Sequence, residues 1–298
     1  MAFDVENYLS NRKEIVDRKL LELFPGSTDS NNTRLHESMR YSILAGGKRL
    51  RPILCIAASE AVGGTLEKAL PVACAIEMIH TYSLIHDDLP SMDDDLLRRG
   101  LPTNHSVFGE ALAILAGDAL LADAFFVIVN EGVSSGLPPS IITDVIRDVA
   151  RAAGSGGMVS GQAHDLALEG REVTVELIEM MHSLKTGALI EASIISGGRI
   201  GGANEGQLSY LIEYSRALGL AFQIIDDVLD IEGGSETGKT RGADARKRKA
   251  TYPGLIGLGK AKKVATQLTE KAVLALKDFD ERAEPLRQLA FYLGRRRY

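Results

Sequence analysis

Apolar residues along this chain recur three and four positions apart rather than two. That pattern predicts helices over about 4–23, 33–45, 53–62, 67–89, 107–130, 139–153, 157–168, 175–198, 204–231 and 255–293. Breaks fall at Pro25-Gly26, Gly46-Gly47, Gly63-Gly64, Gly100 to Pro102, Gly136 to Pro139, Glu169-Gly170 and Gly233-Gly234. Glycine and proline there end helices and fit short interhelical loops. No alternating run bounded by Asn-Gly or Asp-Gly turns marks a strand pair. Several segments are apolar nearly all round, which places them at the centre of a large bundle. No linker is long enough to divide the chain, so a single all-α domain over 1–298 is expected.

Composition narrows the setting. Apolar residues make up 45% of the 298 and charged residues 25%, ample for a large core. A net charge of −6 argues against nucleic-acid binding. Two cysteines, Cys55 and Cys74, both in apolar surroundings, suit a reducing compartment. The first twenty residues carry no apolar run of the signal-peptide kind. The most apolar tract, ALAILAGDALLADAFFVIV, contains Asp118 and Asp123, which would be costly in lipid. A cytoplasmic protein with no integral membrane segment is expected.

Two acidic clusters interrupt this apolar pattern. Downstream, Asp226, Asp227 and Asp230 lie in FQIIDDVLD. Asp226 and Asp230 fall ~40° apart on a helix, so both carboxylates face one side and repel unless a cation lies between them. Upstream, HDDLPSMDDD places Asp87, Asp88, Asp93, Asp94 and Asp95 at the end of another apolar helix. In an unbroken helix Asp87 and Asp93 would be ~120° apart. Pro90 ends the helix near Leu89, and Asp93 is expected to swing back toward Asp87. Carboxylate oxygens in this number suit Mg²⁺, which completes its shell with water and phosphate oxygens.

The cations suggest what such metals would hold. In GGKRLRP (46–52) a glycine turn precedes three basic residues at a helix start, a combination that binds anions. Arg98 and Arg99 follow the first acidic cluster, and Lys185-Thr186, Gly238-Lys239-Thr240 and Lys249 are further phosphate-compatible pieces. The Gly-Lys-Thr lacks the upstream glycine and strand of a nucleotide-binding P-loop.

At this point the chain resembles the trans-isoprenyl diphosphate synthase family, most nearly its bacterial farnesyl diphosphate synthase type. The resemblance rests on GGKRLRP (46–52), EMIHTYSLIHDDLPSMDDDLLRRGLPTNH (77–105), ILAGDALL (114–121), GQAHDL (161–166), KTGALI (185–190), FQIIDDVLD (222–230) and GKTRGAD (238–244). It implies an all-α bundle of ten or more helices around a deep central cleft, working as a homodimer. It implies Asp87, Asp88, Asp93, Asp226, Asp227 and Asp230 as ligands of Mg²⁺, about three ions per site with substrate bound, with Mn²⁺ as a substitute. Lys48, Arg51, His80 and Arg99 match positions that hold isopentenyl diphosphate. Arg98, Lys185, Thr186, Gln223, Lys239 and Lys249 match positions on the allylic diphosphate. Asp94 and Asp95 support the first cluster. Arg295 to Arg297 either close over the isopentenyl group or form a solvated tail. Two departures stand out: Ser160 replaces a glycine, and residues 246–253 are more basic than the family pattern around Lys249.

The implied reaction breaks an allylic C–O bond, leaving an allylic cation that the isopentenyl double bond attacks. Asp87, Asp88, Asp93 and Asp226, through their metals, with Arg98, Lys185 and Lys239, neutralise the departing diphosphate. Thr186 and Gln223 orient oxygens, and the released diphosphate takes the proton. Tyr82 and Ser83 lie ~6–7.5 Å below Asp87 along the helix, where a growing prenyl tail would run. The resemblance associates an aromatic at Tyr82 with a farnesyl (C15) product; a geranylgeranyl or longer-chain synthase is the alternative. A terpene cyclase would need no second diphosphate group, and a non-catalytic regulatory subunit would be expected to lose acidic or basic residues present here.

Overall fold

The computed structural model describes residues 3–26, 33–232 and 251–295. Its helices are α1 (Val5–Leu23), α2 (Thr33–Ile43), α3 (Leu50–Ala61), α4 (Leu66–Asp87), α5 (Asn104–Phe108), α6 (Glu110–Ser134), α7 (Pro139–Ala153), α8 (Met158–Leu168), α9 (Val175–His182), α10 (Ala188–Gly201), α11 (Glu205–Glu232), α12 (Tyr252–Ile256), α13 (Leu258–Ala275) and α14 (Glu284–Gly294). A π-turn over Ser183–Gly187 runs from α9 into α10. Among the described residues the only strands are β1 (Leu97–Arg98) and β2 (Leu101–Pro102), a short antiparallel hairpin. The all-α expectation holds.

α4 is the axis of the structure. Its residues are buried on every side, with Ile76, Met78 and Ile79 fully enclosed. Each such side chain contributes about 1.5–3 kcal/mol of burial. α6 packs along α4, and α1, α2 and α7 complete this part of the core. A second group of apolar side chains joins α3, α10, α11 and α14, and a third joins α9, α11, α12 and α13. α3 packs on both α4 and α10, which ties the first two groups together. Cys55 and Cys74 are free thiols inside this core, and burial pushes the Cys55 thiol up to about 12.

Where the elements depart from the periodicity, local chemistry explains the difference. The segment predicted over 107–130 begins earlier and divides at Gly109, whose φ of 87° lies in the region that favours glycine. The segment predicted over 255–293 is three helices. α13 stops at Ala275; the Asp280 side chain then accepts from the Arg282 N–H, and Pro285 opens α14. α3 begins at Leu50, with Pro52 in its first turn, where no helical N–H is needed. α6 is long and apolar enough to cross a membrane by length and composition alone. One side, through Ala113, Ala116, Leu120 and Ala124, is buried, while Ile114, Leu115, Phe126, Val129 and Val133 are exposed.

Candidate active site

α4 ends at Asp87, and the turn through Pro90 folds the chain back on it. The Met92 N–H donates to the Leu89 carbonyl at 2.8 Å, and the Asp93 N–H donates to the Asp87 carbonyl at 2.8 Å. The expected return of Asp93 is therefore made by the backbone itself. Asp94 takes a left-handed φ of 51° to complete the loop. Burial raises the Asp87 pKa, and the neighbouring Asp93 and Asp88 charges add to the rise. Lys185 and Arg98 oppose it. Asp88 is 2% exposed, and the Arg98 Nε donates to its two oxygens at 2.7 and 2.8 Å. Arg98 also reaches Asp95 at 3.5 Å. The sequence placed Asp88 on metal and Arg98 on phosphate; here they hold each other.

The π-turn supplies the next pair of predicted residues. A π-turn widens a helix by one residue and redirects its side chains, commonly at functional sites. Here the Lys185 Nζ donates to Asp165 Oδ2 at 2.6 Å, and Thr186 Oγ1 donates to Gln223 Oε1 at 2.7 Å. The turn fits because Gly161 on α8 lies directly against the Lys185 backbone. Asp165 was not singled out by sequence reasoning, although it sits in the quoted GQAHDL. Its signal was an acidic residue four positions after that glycine.

The second cluster divides. Asp226 is exposed and Asp230 half-buried, one turn apart on α11. Asp227 is buried instead against α12, where its Oδ2 accepts from the Tyr252 N–H at 2.8 Å and lies 3.8 Å from His182 Nε2. Burial brings the His182 pKa down to about 4, so this imidazole is neutral at pH 7. Among the described residues no three metal-binding side chains converge on a single point. That donor set fits a cation such as Mg²⁺, which takes one or two carboxylates and fills its shell with water and phosphate oxygens. It does not fit an all-protein cage.

A separate cationic group gathers at the start of α3. Gly46 and Gly47 have φ of 83° and 124°, and Arg49 and Arg99 are left-handed at 49° and 55°. Arg99 donates to the Gly46 carbonyl, and its guanidinium lies so close to Gly47 that a Cβ there would sit 2.6 Å from Cζ. Burial lowers the Arg51 pKa to about 10, with Glu77 opposing the fall and Arg99 adding to it. His80 is held well below its ordinary value by burial and by Arg51, Arg99, Arg98 and Arg49, so it is neutral at pH 7. The Asp226 charge on α11 also opposes the fall of the Arg51 pKa. Lys48 is on the exposed side of the loop. Sequence reasoning missed the partners Arg49 and Glu77. A glutamate inside the apolar run of α4, three residues before His80, was their signal.

Tyr82 is 6% exposed and meets His86 edge-on, with ring centroids 5.7 Å apart. Burial, then the Asp87 charge, pushes its hydroxyl up to about 12. His86 in turn contacts the Ile114 carbonyl of α6 at 3.0 Å. Ser83 Oγ donates to the His80 carbonyl at 2.8 Å. Lys239, Lys249, Arg296 and Arg297 lie outside the described residues, while the Arg295 guanidinium stands 5.4 Å from the Phe291 ring centroid.

The all-α bundle thus carries an acidic cluster at the end of α4 with Lys185 of the π-turn beside it, and a separate arginine group at the start of α3. The chain belongs to the polyprenyl synthetase family, whose family model matches residues 32–288. It is a prenyltransferase. It is 48% identical over 296 residues to a geranylgeranyl diphosphate synthase of Cyanophora paradoxa, covering 99% of this chain and 97% of that one. It is 47% identical to a dimethylallyltranstransferase of Fischerella ambigua, covering 98% and 84%. The crystal structure of an FPP/GFPP synthase from Zymomonas mobilis matches with a TM-score of 0.88 and 40% identity, over 99% of this chain and 100% of that one. These findings correct one expectation. The similar curated proteins are mostly geranylgeranyl diphosphate synthases, so the resemblance holds for the family and not for its farnesyl type in particular.

Proposed function

We propose that this protein condenses isopentenyl diphosphate head-to-tail with an allylic diphosphate, dimethylallyl or geranyl at first, and that its principal product is geranylgeranyl diphosphate. The observation that supports prenyl elongation is the presence of two separate groups of charged side chains, which we assign as two diphosphate subsites. One comprises Asp87, Asp88, Asp93, Arg98 and Lys185; the other comprises Lys48, Arg51, His80 and Arg99. A cyclase would need only the first.

Asp87 and Asp93 on one side and Asp226 and Asp230 on the other would hold Mg²⁺, or Mn²⁺ in its place, with Asp88 joining when Arg98 releases it. The bound ion supplies Lewis-acid neutralisation of the leaving diphosphate. Lys185 and Arg98 bring fixed positive charge to that diphosphate, and Lys239 and Lys249 would extend it. Arg51, Arg99, Lys48 and the neutral His80 hold the isopentenyl diphosphate and so aim its double bond at the allylic carbon. The Thr186–Gln223 pair directs its dipoles at developing charge. The proton lost after attack goes to the released diphosphate.

The C20 product is supported by the relatives and by the placement of Tyr82. At ~100° per residue Tyr82 lies ~140° around α4 from Asp87, whereas the small Ser83 lies ~40° away. By that arithmetic the ring, packed on His86, would stand beside the line below Asp87 rather than across it. A farnesyl product is the second reading, favoured by the size of Tyr82. Chromatography of products from labelled isopentenyl diphosphate with each primer decides: a wild-type C15 end product overturns the C20 proposal. Tyr82→Ala should leave a C20 spectrum in place; a shift to longer chains would make Tyr82 the floor. The protein is further proposed to act in the cytoplasm as a homodimer of single-domain subunits, joined through the exposed apolar stripe of α6.

A further inference from the structure

Glu77 belongs to no subsite named above, yet it stands beneath one of them. Its carboxylate is enclosed, with 2% of the side chain exposed, and accepts from Arg49 Nη1 at 2.7 Å. Arg49 is itself 1% exposed. Its Nε donates to Asp17 on α1 at 2.8 Å and its Nη2 to the Ile43 carbonyl at the end of α2 at 2.7 Å. One guanidinium thus clasps α1, α2 and α4 while its own backbone sits at a φ of 49°. A left-handed conformation in a residue with a Cβ persists only where the surroundings over-determine it. The three contacts do so.

That strained residue is the last of the glycine turn. Lys48 precedes it, Arg51 follows two residues later, and the Gly46 carbonyl, three residues back, receives Arg99. Glu77 is also the leading attractive charge on Arg49, Arg51 and Arg99 alike. Three like charges crowded at the start of one helix repel one another, and a single enclosed carboxylate common to all of them opposes that repulsion. His80 follows Glu77 by three residues on α4, so the same helical turn carries both the anchor and a ligand-facing imidazole.

We propose that Glu77, acting through Arg49, is a positioning residue for the isopentenyl diphosphate subsite. It locks the Gly46–Arg49 turn in the shape that aims Lys48, Arg51 and Arg99, and it leaves the allylic subsite untouched. The inference rests on the assignment of that subsite to isopentenyl diphosphate under Proposed function.

Steady-state kinetics of Glu77→Gln in the full chain test it, with each substrate varied in turn. The side chain keeps its volume, but Arg49 loses the buried one of its two charged partners and the turn loosens. KM for isopentenyl diphosphate should rise roughly tenfold or more, with kcat and the allylic KM within about twofold of wild type. Glu77→Asp should recover part of the loss. An unchanged isopentenyl KM, or an equal loss for both substrates, overturns the proposal, because a merely structural role would spread across both. Should Glu77→Gln not fold, Asp17→Asn at the half-exposed end of the same clasp carries the test. A rise of about threefold confined to the isopentenyl KM supports the proposal, and no rise overturns it. Wild-type protein that condenses no allylic diphosphate at all would sink the functional assignment instead, a result distinct from any of these.

Discussion

Gly161 is the most exacting contact between two elements of the site. A Cβ at this position would run into the backbone N and Cα of Lys185 and lie 2.7 Å from its Cβ. Ordinary carbon–carbon contacts begin near ~3.5 Å. Gly161→Ala therefore forces the Ser183–Gly187 turn away from α8 by close to ~1 Å, since neither neighbour is the free end of a flexible chain. The Lys185–Asp165 and Thr186–Gln223 hydrogen bonds, at 2.6 and 2.7 Å, both belong to that turn and lengthen beyond useful range. Overpacking of this kind costs about 1–3 kcal/mol, which corresponds to a melting-temperature drop of roughly 2–5 °C in a chain of this size. The misplacement of a charge-stabilising lysine by ~1 Å should lower kcat by about a hundredfold. Thermal unfolding followed by circular dichroism reads the first quantity, and initial rates at saturating substrate read the second. A variant with wild-type kcat and melting temperature would refute the account, because the turn would then have room that the distances deny it.

Asp87→Asn should abolish turnover while raising the melting temperature at pH 7, measured with chelator and without substrate. The Asp87 pKa is raised, so folding favours the protonated form; stability is fullest below about pH 3.8 and declines as pH climbs through the raised value. The stabilisation by asparagine should accordingly vanish below about pH 3.8, and its persistence there would contradict burial as the cause. Thr186→Val keeps the volume but leaves Gln223 Oε1 without its donor, and should lower kcat about tenfold with little change in melting temperature. An unaltered kcat would remove this pair from the mechanism.

Much of this was legible in the sequence because its causes are local. Helix periodicity located most elements, and Pro90 alone was enough to foresee Asp93 returning to Asp87, since proline's effect on a helix is confined to one turn. What escaped was what distant residues decide together. Nothing adjacent to Asp227 marks it for Tyr252 rather than for the face of Asp226 and Asp230. The π-turn at Lys185 depends on Gly161, more than twenty residues earlier. The left-handed Arg49 depends on Asp17 and Glu77, one on each side in sequence, and its basic neighbours made it look like one more member of an anion-binding turn. Tyr82 shows the limit in a different way. Its distance below Asp87 and its i,i+4 neighbour His86 could be counted, but the link through His86 to the Ile114 carbonyl of α6 could not.

If the site takes a metal diphosphate as proposed, the Asp88–Arg98 pair would give it a form of selectivity that operates before any chemistry. Both members are groups assigned to that ligand, and each already pairs with the other. A lone divalent cation recruiting Asp88 would leave the partly buried guanidinium with only the more distant Asp95, and a lone anion recruiting Arg98 would take the cation from a carboxylate that is 2% exposed. Only a ligand bringing positive and negative charge together can take both partners in one exchange that conserves the number of neutralised charges. The pair therefore behaves as a two-key lock. On the proposed assignment, free magnesium or free phosphate alone would turn one key and leave the other partner short of charge.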